Sequence, residues 1–150
     1  MDFIELNLCD KVGKILIEAK KLYTGSSFCM FLKWMASDIF NEIIIGNSIY
    51  CSQAKTYVAR CFIMEVGSSD DTNLPSINDD ALHWIGYLMT YWCFSFKLTP
   101  SYLLEHYDIA SIVNAYPTLH TLSIKMAISK IQEDYAVWAN YMYITVQIPK

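Results

Sequence analysis

Between Asp79 and Phe96 the chain reads Asp-Asp-Ala-Leu-His-Trp-Ile-Gly-Tyr-Leu-Met-Thr-Tyr-Trp-Cys-Phe-Ser-Phe, a stretch too aromatic for an ordinary surface helix. Set on a helix of roughly 3.6 residues per turn, Leu82, Ile85, Met89, Trp92 and Phe96 share one face. Trp84, Tyr87, Tyr91 and Phe94 share another. Such a helix has to be covered on nearly every side, either by other helices of the chain or by a partner. That requirement selects a helical core and leaves the function open.

A chain of 150 residues is most simply one domain, 1–150, long enough to bury a core. Apolar residues make up 54% and charged residues 17%, which argues against disorder. The longest uncharged apolar run, Ala81 to Phe96, falls short of the about 20 residues a membrane span needs. The N-terminal Met-Asp-Phe-Ile-Glu is acidic where an export signal carries positive charge, so the expected location is the cytoplasm, with no membrane contact.

Net charge is −4 and Arg60 is the single arginine, which argues against direct nucleic-acid binding because phosphate affinity comes from clustered basic groups. The densest such group, Lys11, Lys14, Lys20 and Lys21, is balanced by Asp10 and Glu18 and reads as the solvated face of a helix. Cys9, Cys29, Cys51, Cys61 and Cys93 are odd in number and form no Cys-x-x-Cys pair. Neither a disulfide framework nor a zinc knuckle follows, and reduced, mostly buried thiols are expected.

Punctuation along the chain divides it into helices. Val12, Ile15, Leu16, Ala19 and Leu22 recur at helical spacing, which predicts a helix over roughly 9 to 23 with Asp10 as a cap and Thr24-Gly25 as a stop. Ser26 or Ser27 caps a second helix, and Ser37 or Asp38 a third. The third contains the β-branched Ile43-Ile44-Ile45, also compatible with a strand, but the following Gly46 suits a helix end. Ser52 is expected to cap a helix to about Glu65, with Ala54, Tyr57, Val58, Cys61 and Phe62 inward. Residues 66–78 form a polar surface loop. Beyond the aromatic helix, Thr99-Pro100 starts a helix to about His106. Asp108 caps another, to about Ala115, and Pro117 prevents its continuation. Ser123 caps the last, whose inner face is Ile124, Ala127, Ile128, Ile131, Tyr135 and Trp138. The tail, 142–150, alternates loosely and is expected to be extended. The prediction is an all-α bundle of about six or seven helices around the 79–96 helix.

No pattern for catalysis, metal or cofactor emerges. His83, His106 and His120 lack a second ligand at helical spacing, and no phosphate loop or nucleophile elbow is present. His120 is expected to bond a helix-end carbonyl before the last helix. Asp79-Asp80 reads as an N-terminal cap, where carboxylates complement the helix dipole. The candidate partner- or ligand-facing residues are Trp84, Tyr87, Tyr91, Phe94 and His120, since amphipathic rings are enriched at interfaces.

The run Ala81 to Trp92, the segment Thr99 to Tyr107 and the element Tyr116-Pro117-Thr118-Leu119-His120-Thr121 together resemble a family of small uncharacterised bacterial proteins. Tyr23 to Phe28 and Gly46-Asn47-Ser48 resemble that family's N-terminal part, so the likeness covers most of the chain. The 116–121 element is also similar to antitoxin-like proteins of bacterial toxin-antitoxin loci. The resemblance implies no catalytic residue. The family has a basic residue inside the aromatic helix where this chain has Met89-Thr90, so no anion-binding role carries over there.

Two functions are carried forward. The first is a non-catalytic protein-interaction module, an antitoxin-like or regulatory partner of a toxin-like neighbour or of a second copy. The alternative is a small-ligand-binding protein or minor enzyme whose aromatic pocket uses His83, Tyr87, Tyr91 or His120. DNA binding by a helix-turn-helix ranks last on charge.

Overall fold

The computed structural model describes residues 1–46, 49–69 and 73–147, with side chains in the last stretch as far as Ala139 and at Met142. Among these residues the chain is all-α: α1 (Phe3–Leu22), α2 (Ser27–Met35), α3 (Asp38–Ile45), α4 (Lys55–Val66), α5 (Asp79–Phe96), α6 (Pro100–His106), α7 (Ile109–Asn114), α8 (Tyr116–Leu119) and α9 (Ile124–Gln147). A single 3-10 turn lies at Ile49–Cys51.

Local chemistry sets most of the boundaries. Ser26, Ser37, Asn78, Thr99 and Asp108 each accept a hydrogen bond from a backbone N–H of the helix that follows, and Ser123 does so for Met126 at the start of α9. The β-branched run of α3 is helical, and Gly46 closes it in the left-handed region at φ 76°, which costs glycine little.

α1 and α5 are the principal pair, and α4 covers another side of α1. They run antiparallel: Lys20 meets Asp79 at one end, and Asp10 meets His83 farther along. Two glycines make the crossing close. A Cβ on Gly86 would fall 2.6 Å from Leu16 Cδ1 and 3.2 Å from the Gly13 Cα, and one on Gly13 would fall 2.5 Å from the His83 ring. Around this pair Trp34, Trp92, Phe31, Phe40 and Phe62 are fully buried, and Trp34 stacks on Phe40 at 5.0 Å and meets Phe62 edge-on at 5.1 Å. Each such side chain contributes about 1.5–3 kcal/mol by leaving water. The indole N–H groups of Trp34, Trp84 and Trp92 are buried with no hydrogen-bond partner among the described residues.

The loop before α5 is fastened to the turn before α2. The Ser26 hydroxyl donates to Pro75 O at 2.7 Å, Ser27 Oγ accepts from Ile77 N at 2.6 Å, and Thr24 O accepts from Ser69 N at 2.9 Å. These bonds satisfy backbone groups that burial would otherwise leave orphaned.

Several expectations are corrected. α1 begins at Phe3, where the Asp2 carboxylate accepts from Glu5 N at 2.8 Å as its cap; Phe3, Ile4 and Leu6 are exposed, so its first turns carry no inward periodicity for the sequence to show. The cap of α5 is Asn78, so Asp79 and Asp80 occupy its first turn. α4 starts after Ala54; Ser52 instead donates to Ile49 O in the 3-10 turn, and Ala54 and Tyr57, expected inward, are exposed. Phe96 is 48% exposed, since the last turn of α5 runs past the core. Lys11 and Lys20 are not simply solvated: the Lys11 ammonium donates to Tyr50 O and Cys51 O, and that of Lys20 to Ile77 O. The 142–150 tail is not extended as far as Gln147, because α9 continues through it; residues 148–150 lie outside the described residues.

Candidate functional site

The five residues marked by the sequence are divided between two places. Trp84 is buried, its ring meeting Tyr116 edge-on at 5.5 Å, and His120 stacks on the Tyr116 ring at 4.5 Å. His120 Nδ1 lies 2.7 Å from Tyr116 O, which is the first carbonyl of α8 and already accepts from the His120 backbone N–H at 3.0 Å, so it is not the free helix-end carbonyl expected. Tyr87 and Tyr91 stack at 6.4 Å on the outer edge of α5 and are half-buried, as is Phe94. His83 continues this edge, 6.4 Å from Tyr87 and 3.0 Å from Asp10 Oδ1. Burial, with Cys9, Tyr91 and Asp10 adding to it, pushes the Tyr87 phenol above its ordinary value, so it remains a donor.

None of these residues lines the cavity walled by Tyr107, Tyr135 and Trp138. That cavity, of about 600 Å³, lies where α6, α7 and α8 turn beneath α9. Its existence follows from the punctuation of 99–123. Thr99-Pro100, Asp108 and Pro117 cut the chain into three short helices, and residues of all three line the cavity together with residues of the long α9.

Ile112, Ala115, Leu119 and Ile131 supply its apolar surface. An aromatic series supplies a wall: Trp92 in the core touches Tyr107 at 4.6 Å, Tyr107 touches Tyr135 at 4.8 Å, and Tyr135 lies 5.9 Å from Trp138. Trp138 is 56% exposed, whereas Trp34, Trp84 and Trp92 are buried. Burial, then the neighbouring phenols of Tyr102 and Tyr135, raises the Tyr107 hydroxyl above its usual value against a hydrogen bond with Gln132.

Polar groups also line the groove. His106 is anchored, stacked on Tyr102 at 4.0 Å with Nδ1 2.9 Å from Tyr102 O. Asp108 is occupied as the α7 cap and accepts from Ser111 Oγ at 2.7 Å. Glu105 has no ion pair among the described residues, and Asp134 pairs with Lys130 at 3.3 Å along α9. No three His, Cys, Asp or Glu side chains among the described residues converge as a metal site would need. Nor, among those residues, is any helix long and apolar enough to cross a membrane.

Sequence reasoning placed Tyr135 and Trp138 on the inner face of the last helix, whereas Tyr135 is half-buried and Trp138 is exposed, and it missed the groove. The signal was the mismatch between a long final helix and the short elements before it. In comparisons with known proteins, the chain matches no family model, no curated protein and no solved structure.

Proposed function

We propose that this chain is a non-catalytic protein-interaction module that receives a segment of a partner in the groove between α6–α8 and α9. The observation that carries the reading is Trp138, a large ring left 56% exposed at the side of a partly apolar cavity while the other three tryptophans are buried. Exposed tryptophan beside a concave apolar surface is the arrangement from which interface hot spots are made. The half-buried Tyr87, Tyr91 and Phe94 edge supports the same reading as a second area of contact.

The likeness of the 116–121 element to antitoxin-like proteins makes the product of a toxin-like neighbouring gene the partner of choice. In that role the chain acts by occupying its partner. Co-expression with the product of the adjacent gene tests the proposal: the two proteins co-elute, the neighbour's activity falls, and Trp138→Ala abolishes both effects. Absence of co-elution and of any effect on the neighbour removes the antitoxin form.

A small-ligand pocket is the second reading, favoured by volume, since about 600 Å³ lies within the range of ligand sites. It would use Tyr107, Tyr135 and Trp138 in place of Tyr87, Tyr91, His83 and His120.

A further inference from the structure

The charged groups lining the groove are of one sign. Glu105, Asp108 and Asp134 lie along it, and among the described residues no lysine or arginine lines it. The Lys130–Asp134 pair is a poor neutraliser, because both side chains are more than half exposed and such a pair within a helix is weak. Beside the carboxylates stand the rings of Tyr107, Tyr135 and Trp138, whose π faces are electron-rich. Carboxylates and aromatic faces around one cavity favour the same ligand group, a cation carried on an apolar stem.

Resting on the reading of the groove as a docking site, we infer that the partner segment it takes inserts an arginine side chain. The guanidinium is planar and weakly hydrated, so it can stack on Trp138 or Tyr135 while donating to Asp134 and Glu105. Its methylene stem and the residues beside it cover Ile112 and Leu119. A protein segment is favoured over a free cation because the cavity, at about 600 Å³, has far more room than one guanidinium fills, and Ile112, Ala115, Leu119 and Ile131 add apolar surface that a free cation would leave uncovered. The overall charge of −4 gives the same preference at long range.

The test compares arginine methylamide with citrulline methylamide, which has nearly the same shape and no charge, by titrating the full-length chain and following the Trp138 indole N–H in NMR, assigned by Trp138→Phe. Arginine methylamide is expected to shift that signal saturably and to bind about tenfold more tightly than citrulline methylamide. The double variant Glu105→Gln, Asp134→Asn removes the difference without touching the core. A short peptide with leucines flanking the arginine binds at least about tenfold more tightly than arginine methylamide alone. Equal binding of arginine and citrulline, or binding of neither, overturns the inference; the docking reading then still stands or falls on partner capture by the Trp138→Ala chain. Arginine methylamide binding as tightly as the peptide overturns it too, in favour of a site for a free cation.

Discussion

The carboxylate of Glu65, in the last turn of α4, accepts the backbone N–H groups of both Asp38, at 2.9 Å, and Ile39, at 3.2 Å. A helix end left with free donors is thereby closed by a residue more than twenty positions away, next to the Ser37 hydroxyl that accepts from Phe40 N at 3.1 Å. Local and distant caps share one helix start.

Replacing Glu65 by alanine therefore frees two donors and costs about 1 kcal/mol, within the range of helix caps. Glu65→Gln keeps an acceptor and loses less. Urea denaturation of the two variants checks this, and equal stability of wild type and Glu65→Ala would show that solvent replaces the carboxylate fully.

At the α1–α5 crossing the tolerance for volume is small. Gly86→Ala places a methyl 2.6 Å from Leu16 Cδ1 and close to the Gly13 backbone, so the helices must part or Leu16 must change rotamer. A loss of about 1–3 kcal/mol is expected. Combining it with Leu16→Ala tests the cause: if the clash is responsible, the double variant loses less than the sum of the single changes.

Acid stability should depend on Asp10. Its hydrogen bond to Lys14, with His83 adding to it against the opposing effect of burial, holds the carboxyl below its ordinary value. The unfolded chain then binds the proton more readily than the native one. The stabilisation is complete above the unfolded carboxylate pKa of about 3.9 and is lost as pH falls through the lower native value. Asp10→Asn should flatten the acid limb of the Tm profile, and the two curves should converge at the lowest pH. An unchanged slope would show that the contact adds nothing.

Thiol labelling should divide the cysteines into two classes. Burial pushes Cys9 and Cys93 up to about 12, while Cys29, Cys51 and Cys61 are only half-buried. At pH 8 about one part in ten thousand of each buried thiol is ionised, so alkylation of these two should await global unfolding. Mass spectrometry after a timed maleimide pulse reads this directly; early labelling of Cys93 would mean that α5 opens locally.

Where a helix begins with its own side-chain signal, the sequence located it: Ser26, Thr99-Pro100 and Asp108 stand where local chemistry puts them. Starts without inward apolar residues were harder. The first turns of α1 expose Phe3 and Ile4, so periodicity could be seen only from Val12 onward. Cys61 and Tyr57 resemble core residues in composition, yet the burial of Ala59 in α4 is set by α1 lying across it. The groove depends on angles between helices, which periodicity along one helix does not contain. Trp84 and Tyr87 show the same limit, being marked alike although Tyr116 packs against the Trp84 ring and Tyr87 is left half-buried.

The partnership of α1 with α5 also has a consequence for synthesis. Val12, Ile15 and Leu16 leave the ribosome early, but the helix that covers them is complete only at Phe96. At ordinary elongation rates the first helix waits on the order of seconds with its apolar stripe uncovered by α5. Chains interrupted before Asn78 should thus emerge with a sticky leading helix, and pauses in translation within the 66–78 loop would prolong the interval in which nascent chains can bind one another.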